Sequence, residues 1–151
     1  MRIDPIIRNL DDVIGHMPIT KMETLAIDDP ERARLRAMAA HFADQIVLAW
    51  SCAPGIDADF INVMPKGISK GEAVKRLIGH IGIPVSQVMG IGDARNDEPL
   101  LRAVGLPVAM GNAPDSLKQI ARWVTQPVEA DGLALAVERY VLSNGHGEAA
   151  Y

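Results

Sequence analysis

The chain has a single cysteine, Cys52, in 151 residues, so no disulfide can close within it. That usage suits a reducing compartment. No apolar run approaches the roughly 20 residues that span a bilayer. The opening Met1-Arg2-Ile3-Asp4-Pro5 has no long apolar core of the secretory kind. Cytoplasmic location without membrane association is therefore expected. A basic excess is missing too. With a net charge of -4 and a pI near 5.5, the composition offers no footprint for nucleic acid. Local lysines and helix N-termini can still bind phosphate in an acidic protein. There is no internal repeat and no low-complexity stretch.

What is present is ordinary for a soluble globular protein: 48% apolar and 23% charged residues. The length allows one domain or two small lobes. Residues 6–15 carry weak helical spacing through Ile6, Leu10, Val13 and Ile14, broken by His16-Met17-Pro18. Residues 19–27 alternate well enough for a strand. Asp29-Pro30-Glu31 opens a helix with Leu35, Met38, Ala39, Phe42 and Ile46 at helical spacing, and residues 46–50 and 60–64 read as strands around a Pro54-Gly55 loop. Strand, helix, strand, turn, strand makes a small α+β lobe.

Beyond it, Ser69-x-x-Glu72 is a capping box for a helix with Ala73, Val74, Leu77, Ile78 and Ile81 inward, ended by Gly82-Ile83-Pro84. Short strands are expected at 88–91, 107–110 and 123–125, separated by helices over 97–104 and 113–121. Asp131 is placed to cap a last helix that buries Leu133, Val137, Tyr140 and Val141, and the Gly-rich tail from Ser143 is expected to be mobile. Alternation of helix and strand predicts an α/β fold with a parallel sheet and helices on both faces.

Within this pattern, Gly90-Ile91-Gly92-Asp93-Ala94-Arg95-Asn96-Asp97 carries the most chemistry. An apolar strand runs into a glycine and then oxygen-bearing side chains. Such ligands suit magnesium, which keeps several waters and takes few carboxylates. The same letters also suit a helix-capping turn, with Pro99 in the first turn. In parallel sheets ligands gather at the carboxyl ends of strands, so Asp93 and the later Gly111-Asn112 share one rim. Lys70 is a cation near a helix N-terminus, where a lysine is electrostatically disfavoured without a role. Lys66 competes with it. The four histidines show no metal-ligand spacing, and Trp50 and Trp123 fit strand interiors.

Three stretches taken together, Lys66-Gly67-Ile68-Ser69-Lys70-Gly71, Gly92-Asp93-x-x-Asn96-Asp97 and Val108-Ala109-Met110-Gly111-Asn112, resemble the C-terminal half of a Cof-type phosphatase of the haloacid dehalogenase superfamily. The resemblance runs from about Ile19 to Leu142. It implies a half of a Rossmann-like core over residues 66–142, a remnant cap lobe over 1–65 and a tail over 143–151. It implies Mg2+-dependent hydrolysis of a small phosphorylated metabolite, whether sugar phosphate, nucleotide or cofactor phosphate. Lys70 would be the catalytic-side lysine. Asp93, with Asn96 and Asp97, would serve the metal, the last two chiefly by orienting waters or the lysine. Lys66, Asn96, Gly111 and Asn112 would contact substrate. Arg95 departs from the small residue often found there, and exposure is its expected state.

The family's nucleophile motif, D-x-D-G-T, is absent. The one D-x-D, Asp57-Ala58-Asp59, sits in a turn-forming context and is expected to be a hairpin or loop. The sheet would lack its central neighbour beside strand 88–91, leaving an edge that proteins rarely leave open. A second copy of the chain, a separate N-terminal polypeptide or the first 18 residues is expected to cover it, and the chain alone is expected to be inactive or nearly so. A fragment of a longer protein is an equal expectation. Two other classes share some of these letters: a non-catalytic relative acting as a binding module, and the phosphorylation domain of P-type ATPases, whose D-K-T-G-T segment and membrane helices are not found here.

Overall fold

Two three-stranded sheets of opposite character divide the molecule. The computed structural model describes residues 9–12, 15–16, 18–19, 21–52, 55 and 57–143. Of the expected N-terminal helical stretch the described residues show a single 3-10 turn over Leu10–Asp12, and most of the tail falls outside them.

The first sheet contains β1 (Met22–Ala26), β2 (Ile46–Cys52) and β3 (Asp59–Pro65), in the order β1-β3-β2 with both pairings antiparallel. Between β1 and β2 lies α1 (Asp29–His41). Asp28 caps it, its side chain accepting from the Glu31 amide at 2.8 Å, and Pro30 occupies the first turn. The helical spacing ends at Phe42, and Ile46 begins β2 rather than continuing the helix. Strand alternation sets two faces. Ile61 and Val63 are buried, with Leu48 and Trp50 opposite them on β2. Ala49 pairs with Asn62 and Val47 with Met64, so these four point the other way. Asp57-Ala58-Asp59 lies at the hairpin, as the turn chemistry predicts, and Asp59 starts β3.

In the second sheet, β4 (Met89–Gly92), β5 (Leu106–Ala109) and β6 (Trp123–Val124) run parallel in sequence order. Between and after them come the short helices α3 (Glu98–Leu101), α4 (Asp115–Lys118) and α5 (Gly132–Val137), with α2 (Lys70–Ile81) leading in. The α/β class and the parallel sheet thus stand, though the helices over 97–104 and 113–121 are each reduced to about one turn. Their core is Leu101, Ala109, Ala113 and Leu117, with Ile120 and Ala121 against it.

Two expected buried faces are corrected. On α2 only Gly71 is fully buried, while Ala73, Leu77 and Ile81 are exposed, the last two by more than half. Amphipathic spacing marks an apolar stripe but not what lies beneath it, and the described residues place no sheet under the outer turns. On α5, Gly132 and Ala136 face inward while Leu133 is exposed, as is Val141 in the π-helical turn that follows (Glu138–Leu142). A β-carbon on Gly132 would sit 1.8 Å from the Gln126 carbonyl oxygen, so close backbone approach decides this face. Asp131 precedes α5 with φ 54° but its side chain makes no cap bond.

Candidate active site

The site is built where β4 ends. Gly92 has no room for a side chain, because a β-carbon there would meet the Asp97 β-carbon at 2.5 Å. The chain turns at once into Asp93 and Ala94, then a single 3-10 turn over Arg95–Asp97. This folds Asp97 back beneath the loop. Its Oδ2 accepts from the amides of Asp93 at 3.1 Å and Ala94 at 3.2 Å, and its Oδ1 accepts from Lys70 Nζ. Asp97 is 5% exposed, whereas the Lys70 side chain keeps 54% of its surface. A buried carboxylate with all its partners in place is a rigid support.

Lys70 reaches Asp97 because α2 starts close by. Ser69 caps the helix, accepting from the Glu72 amide at 3.1 Å. Gly71 lies against α3, where a β-carbon would fall 2.1 Å from the Pro99 carbonyl oxygen. The Glu72 carboxylate takes Lys75 at 2.8 Å. One glycine therefore brings the helix start onto the loop, and the lysine follows.

Parallel pairing of Gly92 with Ala109 sets the neighbouring loop on the same rim, tied by the Met110 amide to the Gly92 carbonyl at 2.9 Å. Asn112 lines the same cleft and its Oδ1 accepts from the Val128 amide at 3.2 Å. Gly111 turns its α-carbon toward Pro127, whose nitrogen would lie 2.6 Å from an added β-carbon. Lys66 stands outside the cleft lining, exposed and 3.4 Å from Asp44. The family-implied set therefore separates. Lys70, Asp93, Asn96 and Asn112 face one cleft, Asp97 lies behind them, Gly111 is packed into the fold and Lys66 points elsewhere.

Two features suit a hard cation. Asp93 is exposed at the rim, and the Asn96 side-chain carbonyl is buried without a hydrogen-bond donor. Both offer an oxygen on one short loop. Both oxygens of Asp97 already accept hydrogen bonds, from Lys70 and from the Asp93 and Ala94 amides. Among the described residues no three His, Cys, Asp or Glu side chains form a metal cluster. Asp57 and Asp59 are drawn instead to Arg32, at 3.6 Å and 2.6 Å. The hydrogen bond that Arg32 donates to Asp59 holds its guanidinium above its ordinary pKa.

The cleft measures about 1080 Å3 and lies between this rim and the first sheet, which contributes Ala49, Trp50, Asn62 and Met64, with Arg36 from α1. None of these was singled out from sequence for the site. Their place in it comes from how the two sheets face each other, which no local pattern encodes. The bare carbonyl of Asn62 is likewise buried without a donor.

A model of haloacid dehalogenase-like hydrolases matches residues 7–137. A Streptococcus pyogenes protein named "Putative phosphatase" is 34% identical over 141 residues, covering 92% of this chain and 50% of its own length. A phosphoglycolate phosphatase of Methanobrevibacter smithii is 39% identical over 82 residues, 54% of this chain and 35% of the relative. Among solved structures, a haloacid dehalogenase-like hydrolase from B. subtilis matches with TM-score 0.74 at 27% identity, over 89% of this chain and 46% of its own. A subclass IIB sugar phosphatase of the superfamily matches with TM-score 0.63 at 27% identity, over 79% and 43%. The chain spans about half the length of the longest-matching relatives. The match covers the first sheet, the lysine helix and the acidic loop together, and on that ground the chain belongs to the haloacid dehalogenase-like hydrolase family.

Proposed function

We propose that this chain supplies the metal-and-lysine half of a Cof-type, magnesium-dependent phosphatase acting on a small phosphate monoester. The observation that carries the reading is the junction of Lys70, Asp97 and the Asp93–Ala94 amides at the end of a parallel strand. In the proposed site Asp93 and the Asn96 carbonyl hold Mg2+, which when bound neutralises charge on the phosphoryl oxygens. Lys70, fixed by Asp97, binds a phosphoryl oxygen through its exposed surface and stabilises the charge that builds there. Asn112 lines the same rim on the substrate side. Residues 66–142 form half of the core, and residues up to 65 form a cap lobe over it.

The sequence holds no D-x-D-G-T, and the one D-x-D is bound to Arg32. The attacking carboxylate must then come from elsewhere, and the chain alone turns over little or no substrate. Completion by a polypeptide that lays a strand along β4 is supported by two observations. Among the described residues β4 pairs on one side only, and Leu77 and Ile81 of α2 are exposed. A second copy of the chain is the other candidate.

Two measurements test this. Purified chain with MgCl2 is expected to release no p-nitrophenol from p-nitrophenyl phosphate above background, and rapid release abolished by Asp93→Asn would refute the inactivity. Inorganic phosphate is expected to bind weakly and only with magnesium, by nitrogen-labelled NMR titration. Binding unaffected by Asp93→Asn, or independent of the metal, would remove the basis for the site.

A further inference from the structure

Among the described residues two buried side-chain oxygens have no hydrogen-bond donor, the carbonyls of Asn62 and Asn96, and both residues line the same cleft. They stand on opposite walls. Asn96 belongs to the acidic loop and is taken up in the site proposed above. Asn62 is not. It sits in the middle of β3, paired with Ala49 of β2, and β2 packs on the Arg95–Asp97 turn. Neighbouring strands lie about 5 Å apart, so Asn62 stands one strand's width behind the strand that touches the rim. Its neighbours on this sheet face leave it bare. Val47, Ala49 and Met64 share the face and are apolar. Glu23, its partner on β1, carries a carboxylate that only accepts, and Lys21 takes it at 3.2 Å. A strand position in such company suits a β-branched apolar residue better than an amide. The bare carbonyl is a cost that packing does not offset.

Resting on the phosphatase reading above, we propose that Asn62 is a specificity-determining residue, its carbonyl accepting a hydrogen bond from one neutral O–H or N–H at the far end of the ester's otherwise apolar organic part. The carbonyl is shielded from solvent, and a turn about χ2, a soft torsion in asparagine, presents it to the cleft. The surroundings fix the kind of group. Val47, Ala49 and Met64 accommodate methylenes or a ring face, and would strand the hydroxyls of a sugar turned toward them. Four cationic side chains (Lys21, Arg36, Lys70, Arg95) line the cleft against two acidic ones (Asp59, Asp93), so an ammonium donor is repelled and a neutral one is not. A buried acceptor that gains its donor only from the ligand turns a standing cost into selectivity, because an analogue without the donor leaves it unpaired.

The test is NMR titration of the full chain in MgCl2 with alkyl phosphates and ω-hydroxyalkyl phosphates of matched length, from butyl to octyl, and with inorganic phosphate as the reference. The series acts as a ruler between rim and wall. At the length that reaches Asn62 the hydroxyl is expected to tighten binding about fivefold over the methyl end, the ratio one neutral hydrogen bond supplies. At the other lengths the hydroxyl is expected to weaken binding, since it loses water without a partner. In Asn62→Val the gain is expected to vanish, with the hydroxyl then unfavourable at every length and inorganic phosphate bound as before. A gain at no length in the unaltered chain, which needs no variant to establish, overturns the inference. So does a gain that Asn62→Val retains, or a variant that weakens inorganic phosphate as much as the esters. The phosphatase reading survives each of these results if Asp93→Asn still removes magnesium-dependent binding of inorganic phosphate. Loss of magnesium dependence for every ligand overturns both.

Discussion

The two walls of the cleft are made in different ways. On the parallel-sheet side, Gly71 and Gly92 allow backbone contacts that no side chain could accommodate, and both oxygens of Asp97 are occupied. On the antiparallel side, Asn62 and Arg36 are borne on a strand and a helix and make no hydrogen bond or ion pair among the described residues. The first wall is fixed by the fold itself, so substitution there costs stability before it alters chemistry. The second is decorated afterwards, so substitution there changes recognition and spares the fold. Such a division lets one phosphate-handling rim serve different organic groups.

The largest expected effect tests the first wall at its tightest contact. Gly71→Ala places a methyl group 2.1 Å from the Pro99 carbonyl oxygen, a backbone atom that cannot swing aside. A loss of about 3 kcal/mol is expected in urea unfolding, the upper part of the range for overpacked sites. A loss below about 1 kcal/mol, the bottom of that range, would mean that α2 slides easily over α3 and that the rim is not rigid.

Asp97→Ala comes next. It strips the Asp93 and Ala94 amides of their acceptor and leaves Lys70 unpaired. Unsatisfied part-buried donors cost about 1–2 kcal/mol, while the exposed lysine adds little because solvent screens it. Phosphate binding is expected to fall with stability, since Lys70 loses its support. If Lys70→Met left phosphate binding intact, the lysine would have no contact with the anion.

How much of this contrast was legible in the sequence differs between the walls. The strand ending at Gly92, the Ser69 cap and the Gly82 stop are local signals, and each appears where its residues stand. The meeting of Lys70 with the acidic loop was legible through the family resemblance, since 27 positions separate Lys70 from Asp97. The second wall was not legible. Arg36 carries no local signal for a site and Trp50 fits a strand interior, because only the packing of one sheet opposite the other brings both to the cleft that Asp93 also lines. Lys66 and Gly111 lie outside the cleft lining for a related reason. Their letters match, but Asp44 and Pro127 occupy the space around them. The outward stripe of Leu77 and Ile81 shows that periodicity reports a face and not its cover.

The second wall gives a change of opposite sign. Asn62→Val removes a buried carbonyl that has no donor and installs a residue well suited to a strand. Stability is expected to rise by about 1 kcal/mol, or roughly 2–4 °C in melting temperature. A fall would show that the Asn62 amide is engaged in holding the sheet, and would place it with the first wall.

The smallest effect probes whether the anchored end of α2 depends on charge at all. Glu72 lies in its first turn, and the hydrogen bond from Lys75 holds its carboxyl below the ordinary 4.5. A carboxyl lowered in the folded state contributes stability that is fully present above the unfolded value and disappears as pH falls through the folded one. Glu72→Gln should therefore narrow the gap between neutral and acid stability, with the variant and the parent converging at the acid end. The group is solvent-exposed, so the difference at neutral pH should be small and should shrink further in high salt. A large, salt-insensitive difference would mean that charge, and not the Ser69 cap with the Gly71 contact, sets where the helix begins, and the rim would then owe its geometry to electrostatics more than to packing.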